Sequence, residues 1–240
     1  MEGMRRPATA PPDQLGMHDG LAYALFLPAG TAIGAVVILH GAGSCKESHF
    51  DFARACRAAD LAAVAFDQRG HGDSAGAMDG RAAADVATIA GVLPSGLPVA
   101  LRGSSMGGYL ALVSAEQVGA TAVVAICPAS AEHLAQGLAD ERFDFRAEPG
   151  PLQAFLTEHP LDAVVPDLQA ELLLLHAEGD DSVPIAHSRE LAGLADPGRT
   201  RFVAVPGGDH RSVQHDPAAQ AAALDWLREA LGGPLTAPRH

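Results

Sequence analysis

Several kinds of residue are scarce in this chain of 240 residues, and each shortage excludes a class of protein. Lys and Arg number 16 against 29 Asp and Glu, so the net charge of −13 leaves no basic surface for a nucleic acid or an anionic membrane. The three cysteines have no C-x-x-C spacing, which argues against a disulfide framework and a thiolate zinc site and favours a reducing, cytoplasmic compartment. No apolar run approaches the ~20 residues that cross a bilayer. No apolar segment follows the N-terminal arginines as in an export signal, so we expect a soluble protein.

Apolar residues, by contrast, are plentiful at 48%, which is enough for one large core without disulfides or metal. Short apolar runs alternate with Ala-rich amphipathic segments, a pattern typical of buried parallel strands joined by crossover helices. We therefore predict an α/β fold. The predicted strands are Leu21 to Leu27, Ala35 to Leu39, Ala62 to Phe66, Pro98 to Arg102, Thr121 to Ile126, Glu171 to Leu175 and Arg201 to Val205. The predicted helices are Glu47 to Ala59, Gly80 to Gly91, Met106 to Gln117, Ala131 to Leu138, Pro151 to Glu158, Ala186 to Leu194 and Pro217 to Leu231.

The domain boundaries follow from composition. Residues 1–17 are Pro-rich, and we predict that they form an N-terminal tail. We predict a single domain over residues 18–231 and a C-terminal tail over residues 232–240. The segment 128–169 separates two strands by far more than the usual 2 to 6 residues and holds three of the eight phenylalanines. We interpret it as a small lid, the alternative being a surface excursion of one or two packing helices.

A glycine-flanked serine marks the first candidate for chemistry. The sequence Gly103-Ser104-Ser105-Met106-Gly107 follows a predicted strand and precedes a predicted helix, which is the context that G-x-S-x-G requires. Glycines there leave room for a sharp strand-to-helix turn that exposes the central serine, and the helix N-terminus adds positive partial charge. Ser105 is therefore the candidate nucleophile, against the alternative of a Gly-rich structural turn.

Two further motifs follow strands upstream: His40-Gly41-Ala42-Gly43-Ser44, and Asp67-Gln68-Arg69-Gly70-His71-Gly72-Asp73-Ser74. With them the chain resembles the α/β-hydrolase superfamily over roughly residues 18–231. The resemblance implies a mostly parallel sheet of about seven to eight strands flanked by helices, with an oxyanion hole formed by the backbone amides of Ala42 and Met106. The alternative for the first motif is a glycine loop that merely turns. We expect His71, in the second motif, to be structural rather than catalytic.

The acid and the base are expected C-terminal to the serine. The segment from His176 to Pro184 resembles the superfamily's H-G-x-x-D-x-x-V-P and selects Asp180, although Asp181 is adjacent and Ala177 stands where glycine is usual. His210 lies on a glycine loop after the last predicted strand, where these enzymes keep their base. A metal pair of His210 with His215 lacks the spacing and the glutamate of a zincin, so we predict no metal and no cofactor.

The resemblance implies a serine hydrolase that cleaves a small or medium carboxylic ester through an acyl-enzyme. An aminopeptidase-like or thioesterase-like enzyme with the same triad remains open, as does a non-catalytic ligand-binding protein on the same fold. A short lid with few aromatics favours small or medium acyl groups, and the net charge favours neutral or cationic substrates. The oligomeric state stays open. The candidate pocket residues are Ser44, Phe143, Phe145, Phe155 and Val183.

Overall fold

A computed structural model describes residues 10–232 of the chain. Within this range the strands are β1 (Gln14–His18), β2 (Leu21–Phe26), β3 (Gly34–Leu39), β4 (Leu61–Phe66), β5 (Val99–Ser104), β6 (Ala122–Ile126), β7 (Glu171–Ala177) and β8 (Thr200–Val205). The α-helices are α1 (Phe50–Ala58), α2 (Ala82–Ala90), α3 (Met106–Val118), α4 (Ala131–Ala139), α5 (Pro149–Glu158), α6 (Leu161–Val164), α7 (Ile185–Leu194) and α8 (Pro217–Gly232). All seven predicted strands and all seven predicted helices are present, with ends shifted by at most three residues.

The eight strands form one sheet in the order β1-β2-β4-β3-β5-β6-β7-β8. The pairs β1–β2 and β2–β4 are antiparallel, and the other pairs are parallel. Because the strands from β3 to β8 run the same way, their carboxyl ends and the loops that follow lie along one edge of the sheet. This is the α/β-hydrolase fold that the motifs predict.

Both faces of the sheet are covered, which is why its central strands are continuously apolar. On β3, Val37 and Leu39 pack into a core shared with α2, α3 and the helices after β6, whereas Val36 and Ile38 pack against α1 and α8. All six residues of β3 are buried. The parallel strands are thereby fixed in register, so the loops at their carboxyl ends are held in place from below.

The N-terminal boundary of the predicted domain is wrong by several residues. The sequence analysis placed residues 14–17 in a tail, but they belong to the edge strand β1, which pairs with β2 from Gln14 opposite Leu25 to His18 opposite Leu21. Asp19 and Gly20, both with positive φ, form the tight turn between the two strands. Backbone pairing holds this strand although three of its side chains are polar or glycine. Residues 1–9 of that tail and residues 233–240 of the C-terminal tail lie outside the described residues.

The segment 128–169 holds α4, α5 and the short helix α6, which the sequence analysis did not predict. Leu134 of α4 and Leu152, Phe155 and Leu156 of α5 are buried against the core on one face of the sheet. The lid function assigned to this segment stays a prediction. Within residues 10–232, no helix has the length and the apolar character that crossing a membrane would need.

Candidate active site

Ser105 lies at the turn between β5 and α3 with a backbone conformation that L-residues rarely adopt, φ 55° and ψ −118°. Its amide donates to the carbonyl oxygen of Ile126 at 2.9 Å, which fixes the turn against the neighbouring strand. A Cβ on Gly103 would overlap the carbonyl oxygen of Gly107, so the turn is closed only because both positions are glycine. The strained backbone conformation is confined to Ser105 and orients its side chain away from the edge of the sheet.

The same crowding makes a stability prediction for Gly107→Ala. A Cβ at Gly107 would lie 2.5 Å from the carbonyl oxygen of His40 and closer still to that of Leu39, neither of which is a side chain that can rotate away. We expect the substitution to lower the free energy of unfolding by about 1–3 kcal/mol, measured by urea unfolding. Gly193→Ala in α7 is the matched control, because a Cβ there meets nothing within 4 Å. If both substitutions leave the free energy of unfolding unchanged or raise it, the turn between β5 and α3 is not crowded at Gly107.

Three of the predicted residues are brought together at the carboxyl edge of the sheet. The imidazole Nε2 of His210 lies 2.9 Å from Ser105 Oγ, and its Nδ1 lies 2.7 Å from Asp180 Oδ2. The side chain of Asp180 is fully buried, whereas the ring of His210 keeps 16% of its surface exposed. The three residues follow β5, β7 and β8, so the parallel sheet places them side by side.

The surroundings of Asp180 keep its carboxylate ionised. Burial alone would raise the pKa of Asp180, but hydrogen bonds from His176, His210 and the amide of Val183 outweigh it and hold the pKa well below its usual range. Oδ1 accepts the amides of Ser182 and Val183 at 2.9 and 2.8 Å. An ionised Oδ2 then accepts the Nδ1 proton of His210, which leaves Nε2 free to accept from Ser105.

The geometry distinguishes the two adjacent aspartates. Asp181 is exposed, and its side-chain contact is a 3.4 Å interaction with the hydroxyl of Ser182. The neighbours of Asp180 also include residues to which the sequence analysis gave no role. His176 Nε2 lies 3.3 Å from Asp180 Oδ2, and the sulfur of Cys127 lies within 4.8 Å of an oxygen of the same carboxylate. His176 stands in the quoted motif, so its position was available as a signal; Cys127 carried none beyond its place after β6.

The loop of Ala42 lies beside Ser105. A Cβ on Gly41 would be 3.4 Å from the Cβ of Ser105, so the backbone of this loop is already in contact with the candidate nucleophile. Met106 opens α3, and a first-turn amide has no partner within its own helix. The amide of Gly43 donates to Nε2 of His71 at 3.1 Å, so His71 holds the loop from below and takes no part in the Ser105–His210–Asp180 chain.

His40 connects this loop to the turn after β4. Its Nδ1 donates to the carbonyl oxygen of Gly41 at 2.8 Å, and its Nε2 accepts the amide of Gln68 at 3.1 Å. An imidazole with one donating and one accepting nitrogen is neutral, and protonation would remove the acceptor. Burial, together with the neighbouring His71, lowers the pKa of His40 from 6.5 to about 4.

A loss of stability in acid follows from His40. Because its pKa is about 4 when folded and 6.5 when unfolded, the unfolded chain binds the proton first, and stability present above pH ~6.5 is lost as the pH falls towards 4. We expect this group alone to contribute a slope of about 1.4 kcal/mol per pH unit in that window. Urea unfolding at several pH values measures it. His40→Gln should have the smaller slope, and the exposed His18→Gln should keep the slope of the wild type; equal slopes in all three proteins would remove His40 as the cause.

A narrow apolar pocket begins at Met106 and runs between α3 and the segment 128–169. Phe143, Phe145 and Phe155, three of the candidate pocket residues, line it together with Tyr109 and several leucines. The free space inside is about 10 Å³, roughly that of a single water molecule. The pocket is therefore filled by its own side chains, so entry of an acyl chain requires these side chains to move.

Ser44 and Val183 are not among the residues that line this pocket, and their place in a substrate pocket stays a prediction. The Ser44 hydroxyl lies 2.8 Å from that of Ser48 and is engaged within its own loop. Val183 is buried, and its backbone binds Asp180 and His176. Its side chain packs into the core because the loop after β7 turns inward to form the amide contacts with Asp180.

The sheet order and the strand-turn-helix arrangement at Ser105 are those of the α/β-hydrolase fold. The family model described as serine aminopeptidase, S33, matches residues 30–147, just under half of the chain. Among solved structures, the chain is similar to a monoacylglycerol lipase of Paleococcus ferrophilus (TM-score 0.72, 22% identity, 88% of this chain and 99% of that one). It is also similar to Est1E of Butyrivibrio proteoclasticus, solved with ferulic acid bound (TM-score 0.75, 17% identity, 92% and 100%), and to an esterase of Thermogutta terrifontis (TM-score 0.71, 18% identity, 91% and 99%). The chain shares its fold with these three structures.

Proposed function

We propose that the protein is a serine hydrolase that cleaves carboxylic esters with small or medium acyl groups through an acyl-enzyme. The observation that carries the proposal is the continuous hydrogen-bonded chain from Ser105 through His210 to Asp180, with distances of 2.9 and 2.7 Å. A serine hydroxyl is a poor nucleophile until a base takes its proton, and such a base is in place here. The esterase and lipase names of the structural neighbours support the choice of ester over other acyl groups.

The proposed reaction starts when Ser105 Oγ attacks the ester carbonyl carbon and its proton passes to Nε2 of His210. The carbonyl oxygen becomes an oxyanion, which the amides of Ala42 and Met106 stabilise, while Asp180 stabilises the imidazolium. His210 then protonates the leaving alcohol. Water, deprotonated by the same histidine, releases the acid and restores Ser105.

The pocket supports an apolar acyl group of limited length. Its lining is apolar side chains, and the net charge of −13 disfavours polyanionic substrates. We propose that the segment 128–169 acts as the lid whose side chains move to admit the substrate. A series of p-nitrophenyl esters tests this, and kcat/KM highest at C12 or longer chains would contradict it. The three unpaired cysteines support a reducing, cytoplasmic location.

A fluorophosphonate probe tests the proposal without knowledge of the substrate, because it labels activated serines. We expect one labelled peptide, containing Ser105, in the wild type and in Ser104→Ala, and no label in Ser105→Ala. Absence of label on folded wild-type protein would overturn the proposal and favour a ligand-binding protein on this fold.

A second candidate, an aminopeptidase, is favoured by the description of the matching family model. It uses the same three residues and differs in the bond cleaved. Aminoacyl p-nitroanilides measured beside p-nitrophenyl esters distinguish the two. A higher kcat/KM on the anilides would select the aminopeptidase.

A further inference from the structure

Three side chains that can bind a metal ion converge beside the candidate nucleophile. The sulfur of Cys127, a carboxylate oxygen of Asp180 and a ring nitrogen of His210 all lie within 4.8 Å of one another. They follow three different strands, β6, β7 and β8, so the sheet itself brings them together. Within residues 10–232 this is the sole group of three such side chains so close.

The backbone of Cys127 directs its thiol into this group. Its φ of 42° is unusual for a residue with a side chain, and its amide is fixed to the carbonyl oxygen of Leu175 at 2.8 Å. The sulfur lies within 4.8 Å of a carboxylate oxygen of Asp180. Cys127 is therefore a buried core residue that is held beside Asp180 and His210 in a strained backbone conformation.

We propose that Cys127, Asp180 and His210 form an inhibitory binding site for a divalent transition-metal cation such as Zn²⁺. The proposal rests on the serine hydrolase function, since inhibition means capture of its base. Sulfur, nitrogen and oxygen ligands from three residues, with a fourth position open, are a donor set that Zn²⁺ accepts. One thiolate, one carboxylate and one neutral imidazole around a dication give a cluster with no net charge, the form that costs least to bury.

Binding would stop the reaction through the imidazole tautomer. The cation replaces the thiol proton of Cys127, which leaves to solvent, and takes the lone pair of His210 Nδ1 after the proton of that nitrogen is transferred to Nε2. No electron changes hands, and one proton is released. Nε2 then carries a hydrogen and donates towards Ser105 Oγ, so it can no longer accept the hydroxyl proton. The exposed part of the His210 ring provides the side of entry.

The test compares the zinc concentration that halves the rate in the wild type, Cys127→Ser and Cys45→Ser, each relative to its own rate without zinc. Loss of an outer-shell partner already costs about 10- to 100-fold in metal affinity, so we expect Cys127→Ser to need at least about tenfold more zinc. Cys45 belongs to another loop, and its variant should stay as sensitive as the wild type. Chelator should restore the rate, and Mg²⁺ should not inhibit, because it prefers oxygen ligands. Equal sensitivity of wild type and Cys127→Ser would overturn the proposal.

Cobalt provides a readout that needs no turnover. Co²⁺ takes zinc sites and gives a thiolate-to-cobalt charge-transfer absorption when sulfur is a ligand. We expect that absorption in the wild type and Cys45→Ser and its absence in Cys127→Ser. A folded wild type without it would overturn the site. If the absorption appears in a protein that hydrolyses no ester and takes no fluorophosphonate, the metal site stands and the proposed hydrolase function falls.

Discussion

Replacing Ser105 by alanine is expected to lower kcat on an ester by about 10⁶-fold, and adding His210→Ala to that variant should cost almost nothing more. The reason is the hydrogen bond of 2.9 Å between the two side chains: the imidazole acts by taking the proton of that hydroxyl, so once the hydroxyl is gone the base has no proton to take. Steady-state rates of the two single variants and the double variant, on the same p-nitrophenyl ester, measure this non-additivity.

Unfolding in urea is the control for this experiment, because all three variants must be shown to be folded at the assay temperature. We expect the variants to keep a residual rate about 10³–10⁴ above that of the reaction in water, because the oxyanion-hole amides and substrate binding remain. Independent, multiplying losses from the two single substitutions would mean that Ser105 and His210 do not act on one proton. A Ser105→Ala variant that keeps more than a small fraction of the activity, once contamination is excluded, would likewise contradict this role of Ser105 and His210.

The strands and helices of this fold were predictable because burial acts directly on the sequence. A strand covered on both faces must be apolar at every position, and β3, β4 and β6 meet that condition in short runs bounded by polar or glycine residues. The start of α8 was equally readable, since Asp216 before Pro217 is a cap followed by a proline in the first turn. Asp216 does accept the amide of Ala219, at 2.8 Å.

Edge strand β1 was not predicted because it is stabilised by pairing with the backbone of β2 and not by its own side chains. Gln14–His18 is largely exposed and has no continuous apolar run, so composition placed it in the tail. Its one local sign was Asp19-Gly20, a pair typical of two-residue hairpin turns. The backbone of β2 supplies the rest through antiparallel pairing.

The site was predictable in its residue types and order but not in its atomic choices. Motif spacing selected Ser105 because it has a glycine two residues away on each side, and His210 because it follows a pair of glycines after the last strand. It could not show which of two adjacent aspartates faces the histidine. The choice of Asp180 rather than Asp181 therefore depended on the motif alone. It also could not show that Val183 is buried, since the inward turn of this residue depends on an amide contact with Asp180 that no local preference predicts.

The amide contacts of Asp180 lead to the second large effect, a loss of about 10⁴-fold in kcat for Asp180→Asn. Oδ1 of Asp180 accepts two backbone amides, from Ser182 and Val183, and the NH₂ group of an asparagine cannot take that place because it would face two donors. The carbamoyl oxygen must therefore occupy the Oδ1 position, which turns the NH₂ group towards Nδ1 of His210. Nδ1 then becomes an acceptor, the ring proton moves to Nε2, and the base can no longer take the proton of Ser105. Steady-state kcat on an ester measures the loss.

Asp181→Asn is the matched control, since it makes the same chemical change one residue away on an exposed side chain. Asp181 has no contact with the imidazole, so kcat should stay within about twofold of the wild type, as for surface substitutions of small energetic effect. Similar losses in the two variants would show that the negative charge of the loop matters rather than the tautomer. A large loss confined to Asp181→Asn would mean that the loop shifts by one residue in solution and that the two aspartates exchange roles, because only the carboxylate bonded to Nδ1 can hold the imidazole ready to accept the serine proton.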